Sequence, residues 1–203
     1  MKHFSIIKLL FIGLFASVLL ACNNEPTAPK PVAGTADFAG FEMVAIPSAT
    51  VQKAVKKNAD GKILEMGMVE NGQKHGQWVT YNTANDLPQS ITNYVNGLKS
   101  GVMIEFNKRG QIEKMTNFVN DIMDGMYAQY KFGRIVETLN YTNGKKDGIY
   151  KKYFNNQDNL QQEVSYTKDS LDGPYRYYNE AGEVVLEYEY DNGKKISGGE
   201  VKK

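Results

Sequence analysis

One cysteine, one tryptophan and two histidines are scattered through 203 residues, and these scarcities exclude a good deal. A single cysteine, Cys22, cannot form an intramolecular disulfide. His3 falls in a segment that reads as a leader, so His75, in the turn before Gly76, is the histidine left to a mature chain. A Ser–His–acid triad would have to use it, and no Gly-x-Ser-x-Gly elbow accompanies it. Zinc and thiol chemistry have no ligand set. No glycine is followed by the Gly-Lys-Ser/Thr of a phosphate loop. An excess of one charge is also missing: 24 Lys and Arg face 23 Asp and Glu, and without residues 1–21 the basic count falls to 22. Nucleic acid, which calls for a concentrated basic face, is not an expected partner. No residue set reads as catalytic, and neither a cofactor nor a metal is expected.

A long apolar run is absent too. The longest, Leu9 to Leu20, covers twelve residues, where a membrane-crossing helix needs roughly 20. Behind Lys2 and Lys8 it has the layout of a secretory signal. Leu19-Leu20-Ala21-Cys22 then resembles the bacterial lipobox. That resemblance implies cleavage after Ala21 and acylation of Cys22 on its thiol and its new amino group. Several acyl chains, at about 0.8 kcal/mol per buried methylene, would hold the protein on a membrane durably. Asn23, where an inner-membrane lipoprotein carries Asp, points to the outer membrane of a bacterial envelope. Three regions result: a signal peptide over 1–21, a proline-rich tether over 22–37 with Pro26, Pro29 and Pro31, and a folded domain over 38–203.

What the folded domain does have is glycine and tyrosine in register. Gly76, Gly101, Gly125, Gly148 and Gly173 recur at steps of 25, 24, 23 and 25. Four residues before each stands a turn-former: Gly72, Gly97, Asp121, Gly144 and Asp169. Three residues earlier come Val69, Tyr94, Phe118, Tyr141 and Tyr166. Two residues after each second glycine lie Trp78, Met103, Tyr127, Tyr150 and Tyr175, and five after it Tyr81, Phe106, Tyr130, Tyr153 and Tyr178. Second turns close the units at Asn107 to Gly110, Lys131 to Gly133, Asn155 to Asn159 and Asn179 to Gly182. Asn58 to Gly61 marks an earlier, half-degenerate hairpin, Phe38 to Ile46 a capping strand, and the aromatic-poor Gly193 to Gly199 a cap at the other end.

A period of this length means stacked supersecondary units, none of which can bury its apolar face alone. Here the unit is a β-hairpin. The predicted fold is all-β: an elongated, single-layer antiparallel sheet of stacked hairpins, advancing roughly 10 Å per repeat. The two aromatic ladders are three residues apart, so either both faces carry rings or a bulge brings them together. Units of Gly-x-x-x-Gly-x-aromatic-x-x-Tyr behind Asn-Gly turns resemble the variant MORN repeats of bacteria, over about residues 58–195. Some chains of this kind are grouped as YwqK-family antitoxins. The resemblance implies a membrane-associated or scaffolding module that binds a protein, and, through the antitoxin grouping, neutralisation of a toxin.

The repeated rings have two readings, packing of the sheet or a platform for a protein, a glycan or a lipid headgroup. The candidate binding ladder is Trp78, Tyr81, Phe106, Tyr127, Tyr130, Tyr150, Tyr153, Tyr175 and Tyr178, beside the membrane anchor at Cys22. Carboxylates recur as well: Glu65, Glu113, Glu137, Glu163 and Glu187 at one place ahead of the aromatic, and Asp124, Asp147 and Asp172 just before the second glycine. A residue type repeated in every unit serves architecture more readily than a glycosidase pair or a calcium loop. The open edge strands of such an array could pair between two copies as a homodimer.

Overall fold

The computed structural model describes residues 37–202 other than 48, 156 and 157. Cys22, the leader and all but the end of the tether lie outside the described residues. Among those described there is no helix, and the chain runs as strand after strand. They are β1 (Phe41–Ala45), β2 (Val51–Lys57), β3 (Ile63–Glu70), β4 (Gln73–Asn82) and β5 (Leu87–Val95). There follow β6 (Leu98–Phe106), β7 (Ile112–Val119), β8 (Ile122–Lys131), β9 (Arg134–Thr142) and β10 (Lys145–Lys146). The last are β11 (Gly148–Tyr153), β12 (Leu160–Thr167), β13 (Ser170–Tyr178), β14 (Val184–Asp191) and β15 (Lys194–Glu200). They form one open antiparallel sheet in which spatial order is sequence order, with β10 and β11 both against β9. The all-β hairpin array is therefore the fold of this protein.

Turn chemistry dictates that order. Asn71-Gly72, Asn96-Gly97, Asn120-Asp121, Asn143-Gly144, Lys168-Asp169 and Asn192-Gly193 all have φ between 46° and 83° at both residues. Two consecutive left-handed residues make the type I′ turn, whose twist matches that of the strands it joins. The opposite edge uses another device. Asn58, Asn107 and Asn179 each accept, on their Oδ1, the backbone N–H four residues ahead, while Gly61, Gly110 and Gly182 donate back to the asparagine carbonyl. Asparagine here imitates a turn of backbone, and glycine supplies the left-handed exit.

The second glycine of each unit interrupts the ladder. Gly101, Gly125, Gly148 and Gly173 sit at φ of 96° to 108°, and the register shifts beside them. Each faces a small polar side chain of the preceding strand: Asn93, Asn117, Asn140 and Ser165. Asn93 Nδ2 donates to Val102 O at 2.9 Å and Asn117 Nδ2 to Met126 O at 2.7 Å. These side chains secure bulge carbonyls that the ladder leaves to them. Asn117→Ala is expected to cost about 1 kcal/mol, seen as a lower urea midpoint at unchanged slope. A wild-type midpoint would remove the asparagine from this role.

Successive units are also stitched at the turns. Gly97 N donates to Lys74 O, Asp121 N to Lys99 O, Gly144 N to Met123 O, Asp169 N to Lys146 O, and Gly193 N to Leu171 O, all at 2.7–2.9 Å. Each turn is thus held by the hairpin before it, the nearest-neighbour coupling of a repeat array.

Burial follows the pleat. Ala54, Val69, Trp78, Thr92, Thr116, Leu139 and Val164 form a buried row along one face. Val55 and Ala128 are buried on the other. The thickest packing is at the N-terminal end, where Phe38 and Phe41 lie over Trp78, with ring centroids 6.0 and 5.9 Å away.

Candidate functional site

Cross-strand register settles which way the ladders point. Trp78 pairs with Thr92, Met103 with Thr116, Tyr127 with Leu139, Tyr150 with Val164 and Tyr175 with Tyr188. All of these lie on the face with the buried row, joined there by Tyr94, Tyr141, Tyr166, Tyr177 and Tyr190. It is a tyrosine face. Tyr81, Phe106, Tyr130, Tyr153 and Tyr178 point the other way. Tyr81 and Tyr130 direct their hydroxyls at Met66 Sδ and Met115 Sδ, at 3.6 and 3.3 Å. The predicted ladder therefore divides between two faces.

Its members also differ in access. Trp78 is only 2% exposed, roofed by Phe38 and Phe41, and its Nε1 donates to Met68 O at 2.9 Å. It belongs to the core and presents nothing to a ligand. The other eight rings are half-buried. His75 sits in β4 beyond the type I′ turn, opposite Met68, with Nδ1 3.4 Å from the Glu70 carboxylate. Histidine at that place is a strand residue and not a turn residue.

The carboxylates do not form one ladder either. Glu65 pairs with Thr80, and Glu137 with Gln129 and Lys152, all on the tyrosine face. Glu163 and Glu187 occupy the opposite face, where Arg176 lies between them at 3.3 and 2.6 Å. Glu113 is the extra residue of a bulge in β7. A slip of one residue relative to the aromatic exchanges faces.

On the tyrosine face lysine, acid and aromatic rings form a repeated set. Lys74, in register with Val69, stands 4.2 Å from the Trp78 ring centroid and 5.3 Å from that of Tyr94, and is ion-paired to Glu65. Lys146, in register with Tyr141, stands 5.1 Å from the Tyr166 centroid. Lys195 covers Tyr188 at 3.8 Å. Cations over tyrosine and tryptophan faces are attracted by the ring quadrupole.

At the middle of this face a depression of about 400 Å³ is lined by Tyr127, Glu137, Leu139, Tyr141, Lys146, Tyr150, Gln162 and Tyr166. The rings of Tyr127 and Tyr141 stand nearly perpendicular, 76° apart with centroids at 6.3 Å. Burial, reinforced by the Glu137 charge, pushes the Tyr150 hydroxyl up to about 12 and raises that of Tyr127. Beside the depression, Gln162 Nε2 donates to the hydroxyls of Tyr175 and Tyr177 at 2.9 and 3.3 Å, and these are 2.9 Å from each other. Among the described residues no cluster of three or more His, Cys, Asp or Glu side chains could hold a metal ion. The depression offers ring faces, hydroxyls, one carboxylate and a lysine.

No protein-family model matches the chain, and no curated protein is similar to it.

Proposed function

We propose that this protein is a non-enzymatic lipoprotein of the bacterial envelope. In this reading Cys22 anchors it to the outer membrane, and the MORN-like array serves as a protein-binding or scaffold module. The observation that carries the reading is an aliphatic surface on the face opposite the tyrosines. Val95, Val119, Met126 and Ile149 are 47%, 50%, 47% and 50% exposed. Their registers with Leu98, Ile122, Asn140 and Ser165 place all four on that face, over three successive hairpins. Apolar side chains displayed in series, not scattered singly, mark an interaction surface. Tyrosine on the reverse is equally suited to a protein interface, where a ring gives much contact area for little lost freedom.

The test is a crosslinked pull-down from membranes with the wild type, Cys22→Ala, and the double variant Val119→Glu/Ile149→Glu. The wild type is expected to recover one protein near stoichiometrically. The double variant should lose it while keeping the circular dichroism of an intact sheet, since both positions are exposed. Cys22→Ala should shift the protein off the membrane. Enrichment of lipid or polysaccharide without any protein would replace the scaffold reading with direct binding of those molecules.

A further inference from the structure

The depression on the tyrosine face can be interpreted by comparing the protein with itself. In the first unit Glu65 lies four residues before Val69, and Lys74 stands in register with Val69. That ammonium is bound by the Glu65 carboxylate and by the rings of Trp78 and Tyr94. Glu137 lies four residues before Tyr141, and Lys146 is in register with Tyr141. The acid and the rings are the same in kind, with Tyr150 and Tyr166 where the first unit has Trp78 and Tyr94. The lysine is used differently: it stacks on Tyr166 and makes no ion pair with Glu137.

Nor does another cation pair with Glu137 among the described residues. Glu105 takes Lys114, and Arg176 serves the opposite face. Lys152, the cross-strand neighbour of Glu137, is exposed and unpaired with it. Glu137 is therefore a half-buried carboxylate in the lining that it shares with Tyr127, Tyr141 and Tyr150, without the ion pair that the corresponding acid of the first unit makes. A half-buried charge walled by aromatic rings favours a cation with apolar flanks over any anion.

We infer that the depression over Glu137 is an open receptor site for a primary ammonium group, the side chain of a lysine on a protein partner. Tyr127, Tyr141 and Tyr150 would supply ring faces and Glu137 the charge, as Trp78, Tyr94 and Glu65 do for Lys74. The inference rests on the protein-binding reading above and adds what the tyrosine face selects.

The full chain in detergent, labelled with 13C on its tyrosine rings, is titrated with Nα-acetyl-lysine amide, with the Nε-acetylated form of that amide, and with choline. The lysine amide is expected to shift the Tyr127 and Tyr150 ring signals saturably, and the neutral acetylated form to leave them in place. Glu137→Gln should weaken the binding at least about tenfold, the loss typical of removing one member of a partly buried charge pair. Lys146→Met and Lys152→Met should bind as tightly as wild type or more tightly. Absence of a saturable shift in the wild type, or equal binding by Glu137→Gln, overturns the inference. So does binding that appears only in a lysine variant, which would mean that the site is filled from within. Choline binding as well as the lysine amide would overturn the assignment to lysine. The two proposals separate in the pull-down: a partner recovered equally by wild type and Glu137→Gln sinks the lysine site and spares the scaffold, whereas no partner at all sinks the scaffold.

Discussion

Gly67→Val is expected to destabilise the N-terminal hairpins nearly as much as removal of the Trp78 ring itself. A Cβ at residue 67 would fall 2.3 Å from Trp78 Cδ2 and 2.4 Å from Cε2, well inside van der Waals contact. The indole has no free direction in which to yield. It is bonded through Nε1 to Met68 O, covered by Phe38 and Phe41, and flanked by Tyr94. Displacing it forfeits most of what Trp78→Ala would lose, about 3–5 kcal/mol. For a chain of this size that is a fall in melting temperature on the order of 10 °C. Stability in a repeat array is local, so hydrogen exchange should accelerate in β2 to β5 and remain slow in β12 to β14. The double variant Gly67→Ala/Trp78→Leu should be less destabilised than the two single changes combined, because the smaller side chain vacates the space. Additive losses would show that the glycine is needed for some reason other than the ring. Uniform loss of protection along the sheet would show that the array unfolds as one unit.

Alkaline pH is the second large effect. Burial raises the hydroxyl pKa of Tyr94, Tyr127, Tyr150, Tyr166, Tyr175 and Tyr178 above the ordinary value near 10, with Tyr150 pushed up to about 12. Tyr175 is raised further by its hydrogen bond to Tyr177. The folded state therefore keeps protons that the unfolded chain releases near pH 10. Where the unfolded state binds fewer protons, stability falls as pH rises. The tyrosine contribution is fully present below about pH 10 and is lost as pH climbs through the folded value near 12 of Tyr150. Melting temperatures measured from pH 8 to 12 should hold level and then drop steeply. Absorbance at 295 nm should show tyrosinate appearing together with unfolding, later than in free tyrosine. Tyr150→Phe/Tyr175→Phe should flatten the drop. Hydroxyls that ionise near 10 in an intact fold would refute the account.

The sequence made the array legible because its period lies in residues with a single local meaning. Asn-Gly and Asn-Asp pairs favour a type I′ turn, and the strand boundaries along one edge of the sheet follow from them; at Asn85-Asp86 only the aspartate has a positive φ. Lys168-Asp169 takes the same conformation without a signature residue at its first position, placed there by the repeat on either side. The facing of the ladders was not legible. Residues three apart in a strand point oppositely only if that strand carries no bulge between them, and the register shifts that fall between the two rings place their extra residue, such as Glu113 or Val136, on the facing strand. The task of Asn93 and Asn117, one residue before a ring, depends on a carbonyl of the next strand that the sequence does not place. Trp78 looked like its ladder-mates because the cover that buries it comes from Phe38 and Phe41, some forty residues away in sequence. Glu137 stood among five carboxylates that read as equivalent, and register alone separates it from Glu163 and Glu187.

The stitches from each turn to the carbonyl of the hairpin before it bear on ancestry. Every junction uses backbone groups, and backbone is the same whatever the side chains become. A duplicated or deleted unit would meet its neighbours through the same backbone stitches, so the repeat number could change while those bonds are kept. Length would then be inherited in whole steps of roughly 10 Å, and relatives of this protein would differ as rulers differ, by the number of divisions, while keeping the spacing between them.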